Sequence, residues 1–149
     1  MNKLNSLRVL LYKQYCKELD QYDDFKLAGD GEKIAADYIT ATKNSDVTWK
    51  DITHYGEIVG FLIINPRPLC MHIMEAFVLP KHRRKGLMLG ALQNALKGHK
   101  GDVVLEVLKR NPAQEFWAKA LDGLGFVKTA EDVSWRNHNL MQYRYKRKE

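Results

Sequence analysis

The chain has 149 residues, of which 45% are hydrophobic and 28% charged. That is the balance of one ordinary globular domain, and it excludes a disordered chain. No apolar stretch reaches membrane-spanning length, and Met1-Asn2-Lys3-Leu4-Asn5 lacks the apolar run of a secretory leader. A formal net charge of +6 favours anionic partners: phosphorylated cofactors, nucleic acid or acidic surfaces.

Leu7, Leu11, Tyr15, Leu19 and Tyr22 recur near helical spacing, which predicts a first helix capped by Asn5 or Ser6. The acidic, glycine-containing stretch Asp23 to Gly31 ends it, and a short second helix is expected over Glu32 to Thr42. Strand chemistry follows in Val47 to Tyr55 and in the apolar run Ile58 to Ile64, with a turn at Gly56-Glu57. Asn65-Pro66-Arg67-Pro68 reads as a loop, because proline cannot donate to a central ladder. Cys70 to Leu79 is the next strand, closed by Pro80.

A helix is expected from Leu87 to Leu96, ending at Gly98, and a short strand over Asp102 to Leu108. Strand, helix and strand of this length make a βαβ unit, so the two strands should run parallel. Asn111-Pro112 opens a further helix, with Asn111 as cap and Gln114 placed to close a capping box. Gly125 is the natural residue after its end. Two final strands, Phe126 to Trp135 and Asn139 to Lys146, turn through Arg136-Asn137-His138.

Between Pro80 and the helix at Leu87 lies the most informative segment, Lys81-His82-Arg83-Arg84-Lys85-Gly86. A helix start offers unpaired N–H groups and the positive end of the helix dipole. Cations beside it make a seat for a phosphate-bearing ligand.

The order of elements and four motifs together resemble the GNAT superfamily of acetyl-CoA-dependent N-acetyltransferases. Gly56-Glu57-Ile58-Val59-Gly60-Phe61 is similar to the hairpin between the family's second and third strands. Glu75-Ala76-Phe77-Val78-Leu79-Pro80 resembles its fourth strand, and Arg83-Arg84-Lys85-Gly86-Leu87-Met88 its pyrophosphate motif. Pro112-Ala113-Gln114-Glu115-Phe116-Trp117, ending in Gly125-Phe126, resembles its fourth-helix signature. The resemblance implies one mixed α/β (α+β) domain over residues 1–149: a mostly antiparallel twisted sheet, about four flanking helices and a central βαβ unit.

The resemblance also implies a function, transfer of an acetyl group from acetyl-CoA to a primary amine in a ternary complex. Arg83, Arg84, Lys85, Gly86, Leu87 and Met88 would seat the CoA pyrophosphate, largely through backbone N–H groups. Phe77 and Val78 would hydrogen-bond the pantetheine, with a bulge there supplying the N–H that polarises the thioester. Asn111, a helix cap that reaches CoA in this reading, and Trp117 complete the cofactor set. Glu75 matches the general base; its alternative role is a structural partner or a solvated charge.

Three positions depart from the family pattern. At one of them Arg110, not Asn111, falls where the family's CoA-contacting Asn is usual, and the helix-cap role explains Asn111 fully. Met88 stands where Gly or Ala is usual and crowds the phosphate approach, while its N–H survives. Trp117 stands near the family's acidic Tyr, and indole cannot protonate a thiolate; a thiol pKa near ~8.5 makes thiolate an adequate leaving group. Tyr143 and Tyr145 read as packing residues, although either would be the substitute acid.

Partners follow from the same resemblance. The acceptor is a small-molecule or protein amine, with Tyr12, Tyr15, Tyr22 and Tyr38 near its site and Asp20, Asp23 and Asp24 as an acidic rim. The last two strands offer an edge for a homodimer. A non-catalytic GNAT-fold module binding nucleic acid or a protein through its basic surface is the second reading. The histidines share no ligand spacing, so no metal is expected. Cys16 and Cys70 form no CxxC and read as buried free thiols in a reducing cytoplasm.

Overall fold

Helix α1, Lys3–Leu19, begins because Asn2 caps it: the Asn2 side chain accepts the Asn5 N–H at 2.7 Å. The cap therefore lies before the expected Asn5 or Ser6, and Asn5 is the third helical residue. The computed structural model describes residues 2–22 and 30–149, so the expected break and the acidic pair Asp23-Asp24 lie outside the described residues. Helix α2 is Gly31–Lys43. Strands β1, Thr48–His54, β2, Glu57–Pro66, and β3, Cys70–Val78, come next. A 3₁₀ turn at Pro80–His82 leads to α3, Leu87–Leu96, then β4, Asp102–Leu108, α4, Ala113–Gly123, β5, Phe126–Val133, and β6, Leu140–Arg147.

The strands form one six-stranded sheet in the order β1-β2-β3-β4-β6-β5. Only β3 and β4 pair in parallel, as the βαβ unit requires; the other neighbours are antiparallel. The sheet buries both faces. Val59, Leu62, Ile73, Leu105 and Tyr143 pack with Leu92 of α3 and Leu121 of α4. Trp49, Phe61, Ile63 and Phe77 pack under Tyr12 of α1 and Ile39 of α2. Phe61 and Phe77 are directly opposed across β2 and β3, and each buried ring contributes about 2–3 kcal/mol.

Pro66 belongs to β2, paired with Met71, rather than to a loop. The proline is tolerated because the β1 ladder stops at Ile64, so β2 is an edge at that point and needs no second donor. At the other end of β2, a Cβ on Gly60 would sit 2.1 Å from the Phe77 carbonyl oxygen. Glycine there lets β2 and β3 close on each other.

Two irregularities give β3 its part in the site. Ile63 pairs with Glu75 and Ile64 with Ile73, so Met74 is an extra, bulged residue. The bulge changes the strand's facing: Met71 and Ile73 belong to the α3–α4 core, whereas Phe77 packs under α1 and Glu75 reaches Tyr12. Uninterrupted alternation would have put Glu75 with Ile73. The second irregularity is a fork. The β3–β4 ladder runs only from Cys70–Asp102 to Ile73–Leu105, and the strands part beyond it.

Candidate active site

The fork opens into a cavity of about 610 Å³. Tyr12 and Tyr15 of α1 and Tyr38 of α2 wall one side, Glu75 and Glu106 flank the fork, and Asn111 and Trp117 line the α4 side. The cavity therefore passes from the α1–α2 face of the sheet, between two strands, to the start of α4.

Glu75 is its chemically distinctive group. Burial pushes its carboxyl up to about 7 from an ordinary 4.5. Hydrogen bonds from Tyr12 and Tyr15 and the charge of Arg136 oppose that rise without cancelling it. The Tyr12 hydroxyl donates to Glu75 Oε2 at 2.5 Å. Burial, then the Glu75 carboxylate, hold the Tyr12, Tyr15 and Tyr38 hydroxyls well above their ordinary value, so all three are proton donors at neutral pH. Cys16, beneath them, is pushed up to about 12 by burial and stays a thiol.

Across the fork, Glu106 Oε1 accepts the Arg136 guanidinium at 2.7 Å. Arg136 comes from the connection between β5 and β6, which lies over the cavity with Asn137. His72, on the same wall, has its pKa lowered by burial and is neutral at pH 7.

The cationic loop is a second locus. Gly86 has φ +74 and Arg84 has φ +63, left-handed conformations that fold the chain back into the start of α3. The Gly90 N–H is the first in α3 to find a helical carbonyl, that of Gly86. The N–H groups of Leu87, Met88 and Leu89 have no backbone acceptor among the described residues. Arg84 and Lys85 are exposed beside them. Arg83 is committed elsewhere: its guanidinium makes two contacts with Glu18, at 2.5 and 2.8 Å, and its Nε donates to the Val78 carbonyl at 2.7 Å. Met88 packs its side chain against the core, leaving its N–H at the helix start.

Of the residues singled out in the sequence, Glu75, Asn111 and Trp117 share the cavity. Arg84, Lys85, Gly86, Leu87 and Met88 form the loop, and Phe77 and Val78 are buried between the two loci. The bulge expected near Phe77 and Val78 lies instead at Met74. Phe77 and Val78 are fixed in regular register against Phe61 and Gly60, so the slip is taken up between Ile63 and Ile64.

The N-cap position of α4 is Pro112 rather than the expected Asn111. Asn111 stands one residue earlier, its Oδ1 accepting the Ala113 N–H at 2.9 Å, and the capping box does not form. Gln114 instead donates to the Leu108 and Lys109 carbonyls and accepts from Tyr143. Cys70 is half-buried rather than buried, as befits a strand's first residue. Sequence reasoning missed Glu106 and Arg136. An acid between Leu105 and Val107 in an apolar strand was the available signal for the first; the second depends on a distant connection.

Among the described residues no group of His, Cys, Asp and Glu is arranged to hold a metal, and no helix is long and apolar enough to cross a membrane. No curated protein sequence matches the chain. Solved structures do. The microcin C7 self-immunity acetyltransferase MccE, in complex with acetyl-CoA and AMP, superimposes with a TM-score of 0.71 at 14% identity, covering 99% of this chain and 88% of that one. The PaiA N-acetyltransferase of Thermoplasma acidophilum with coenzyme A gives 0.68 at 13% identity, covering 95% and 92%. RimL, a ribosomal L7/L12 α-N-protein acetyltransferase with coenzyme A, gives 0.63 at 19%, covering 95% and 85%. These likenesses show a shared fold. The sequence model of the acetyltransferase (GNAT) family matches residues 8–122, from α1 to the end of α4, and the chain belongs to that family of transferase enzymes.

Proposed function

We propose that this chain is an N-acetyltransferase that moves the acetyl group of acetyl-CoA to a primary amine by direct attack in a ternary complex. The observation that carries the reading is Glu75, a carboxyl raised to about 7 beside a fork between parallel strands. An alkyl ammonium with pKa near ~10 is almost wholly protonated at neutral pH and must lose a proton before it attacks. A carboxylate poised near neutrality is suited to take that proton, directly or through water.

The residues present fit acetyl-CoA. The free N–H groups of Leu87, Met88 and Leu89, with Arg84 and Lys85, suit its pyrophosphate. Beyond Ile73 and Leu105 the facing backbone groups of β3 and β4 are not paired with each other and suit an amide-bearing arm. When bound, acetyl-CoA supplies the activated acyl thioester. The chain's own contributions are orientation, proton removal at Glu75 and β3 N–H groups at the fork to receive developing oxyanion charge. Tyr12 orients Glu75. Tyr143 has its hydroxyl spent on Gln114, and leaving-group protonation is assigned to no side chain.

The test is amine-dependent release of CoA thiol with acetyl-CoA and a panel of primary amines, comparing wild type with Glu75→Gln. Loss of the base should lower kcat by roughly 10²–10⁴-fold. An unchanged rate would remove Glu75 from the chemistry. No amine-dependent release from any acceptor would remove the transferase reading.

A further inference from the structure

Glu106 has an oxygen that the fold leaves unused. It sits one residue past the last β3–β4 pair, Ile73–Leu105, and its side chain is 10% exposed. Oε1 takes the Arg136 guanidinium. Oε2 is enclosed and has no hydrogen-bond partner among the described residues. Buried charged oxygens are ordinarily satisfied, so an orphan oxygen on a residue that lines a ligand-sized cavity points to a donor from outside the chain.

The surrounding charges specify what kind of donor. Glu75 and Glu106 both line the cavity, and the Glu106 charge adds to the cost of ionising Glu75. His72 is kept neutral by burial. Arg136 is the one cation among the described lining residues, and it is engaged at Oε1. The hydroxyls of Tyr12 and Tyr15 serve Glu75. Asn137 also lines the cavity, and it carries no charge. Two carboxylates facing one guanidinium leave room for added positive charge at the fork.

Resting on the acetyl-transfer reading, we infer that Glu106 Oε2 anchors a second, protonated nitrogen of the acceptor. The acceptor is then a dibasic amine, with one nitrogen held at Glu106 while the other is presented to Glu75. Glu106 is a specificity-determining residue in this scheme, because it selects acceptors by the group that does not react. A charge-assisted hydrogen bond to an enclosed carboxylate is stronger than a neutral one, and a monoamine forgoes it.

The experiment compares α,ω-diaminoalkanes of three to six carbons with n-alkylamines of matched length. In wild type the best diamine should exceed its matched monoamine by about 10- to 100-fold in kcat/KM, mostly through KM. Glu106→Gln keeps the size and the Arg136 acceptor but places an N–H₂ where the cation would sit, so the ratio should fall to within about 3-fold. Glu106→Asp keeps the charge one methylene further back, and its preference should move to a longer diamine. Binding of 1,4-diaminobutane, read as a thermal shift without acetyl-CoA, should be present in wild type and lost in Glu106→Gln.

Equal use of diamines and monoamines by wild type would overturn the inference, while acetylation of both leaves the transferase reading standing. A ratio unchanged in Glu106→Gln would also overturn it. If no amine is acetylated, the transferase reading fails, and the diamine thermal shift alone decides the role of Glu106.

Discussion

Replacing Glu75 with glutamine should make the protein less active and more stable, with the stability gain appearing as pH rises. The carboxyl is raised from 4.5 to about 7 in the native state. At 1.36 kcal/mol per pK unit, ionised Glu75 costs the fold about 3 kcal/mol above pH 7. The sign comes from proton uptake. Native protein holds the Glu75 proton more tightly than unfolded chain does, so the favourable contribution is full below about pH 4.5 and is lost as pH rises through 7. Glutamine accepts the same Tyr12 hydrogen bond and never ionises, so its own stability carries no such slope.

The difference between variant and wild type should thus grow by about 2–3 kcal/mol between pH 5 and pH 8 and level off above that. Comparing the two proteins at each pH cancels every other titrating group. Urea denaturation reads it directly: with m near 1–3 kcal/mol/M, the midpoint of the variant should rise relative to wild type by roughly 1–2 M across that range. A difference that is the same at pH 5 and pH 8, or that favours wild type more at high pH, would refute a Glu75 held near neutrality by burial.

Four further outcomes test neighbouring parts of the structure. Arg136→Met removes a charge that lowers the Glu75 pKa, so the acidic limb of the pH–rate profile should move to higher pH; an unmoved limb would break the link across the fork. Gly86→Ala places a side chain at φ +74 in open space, and should cost about 1 kcal/mol by conformation alone. Gly86→Asp adds a negative charge at the loop, so it should also abolish the rise in Tm caused by acetyl-CoA; an intact rise would exclude the loop as the pyrophosphate seat. Gly60→Ala forces a Cβ against the Phe77 carbonyl and should destabilise by about 2 kcal/mol or more, and a wild-type Tm would contradict the close β2–β3 approach.

Local signals carried much of the fold. Gly125, at φ +95 just past α4, and the parallel β3–β4 pair around α3 are consequences of short-range chemistry that the sequence displays. The site was less legible where it depends on long-range adjustment. Cys70 to Val78 is largely apolar, so nothing in its pattern marks Met74 as bulged, yet that bulge aims Glu75 at the tyrosines. Arg83 reads as one of three equivalent loop cations, and only the packing of α1 against the loop shows Glu18 claiming it. Glu106 was visible as an acid in an apolar strand, but its unpaired oxygen and its Arg136 partner require the fork and the β5–β6 connection together. Tyr12 was legible only as one of four tyrosines near the acceptor site, and its hydroxyl is the donor that orients Glu75.

The central claim is that one acetyl-CoA spans both loci, phosphates at the start of α3 and acyl end at the fork. Hydrogen–deuterium exchange with and without saturating acetyl-CoA measures this directly, because the N–H groups concerned belong to different peptides. Slowed exchange is predicted both over residues 84–89 and over residues 74–78 of β3. Protection absent from both segments at saturating acetyl-CoA, or confined to surfaces away from them, would contradict the claim.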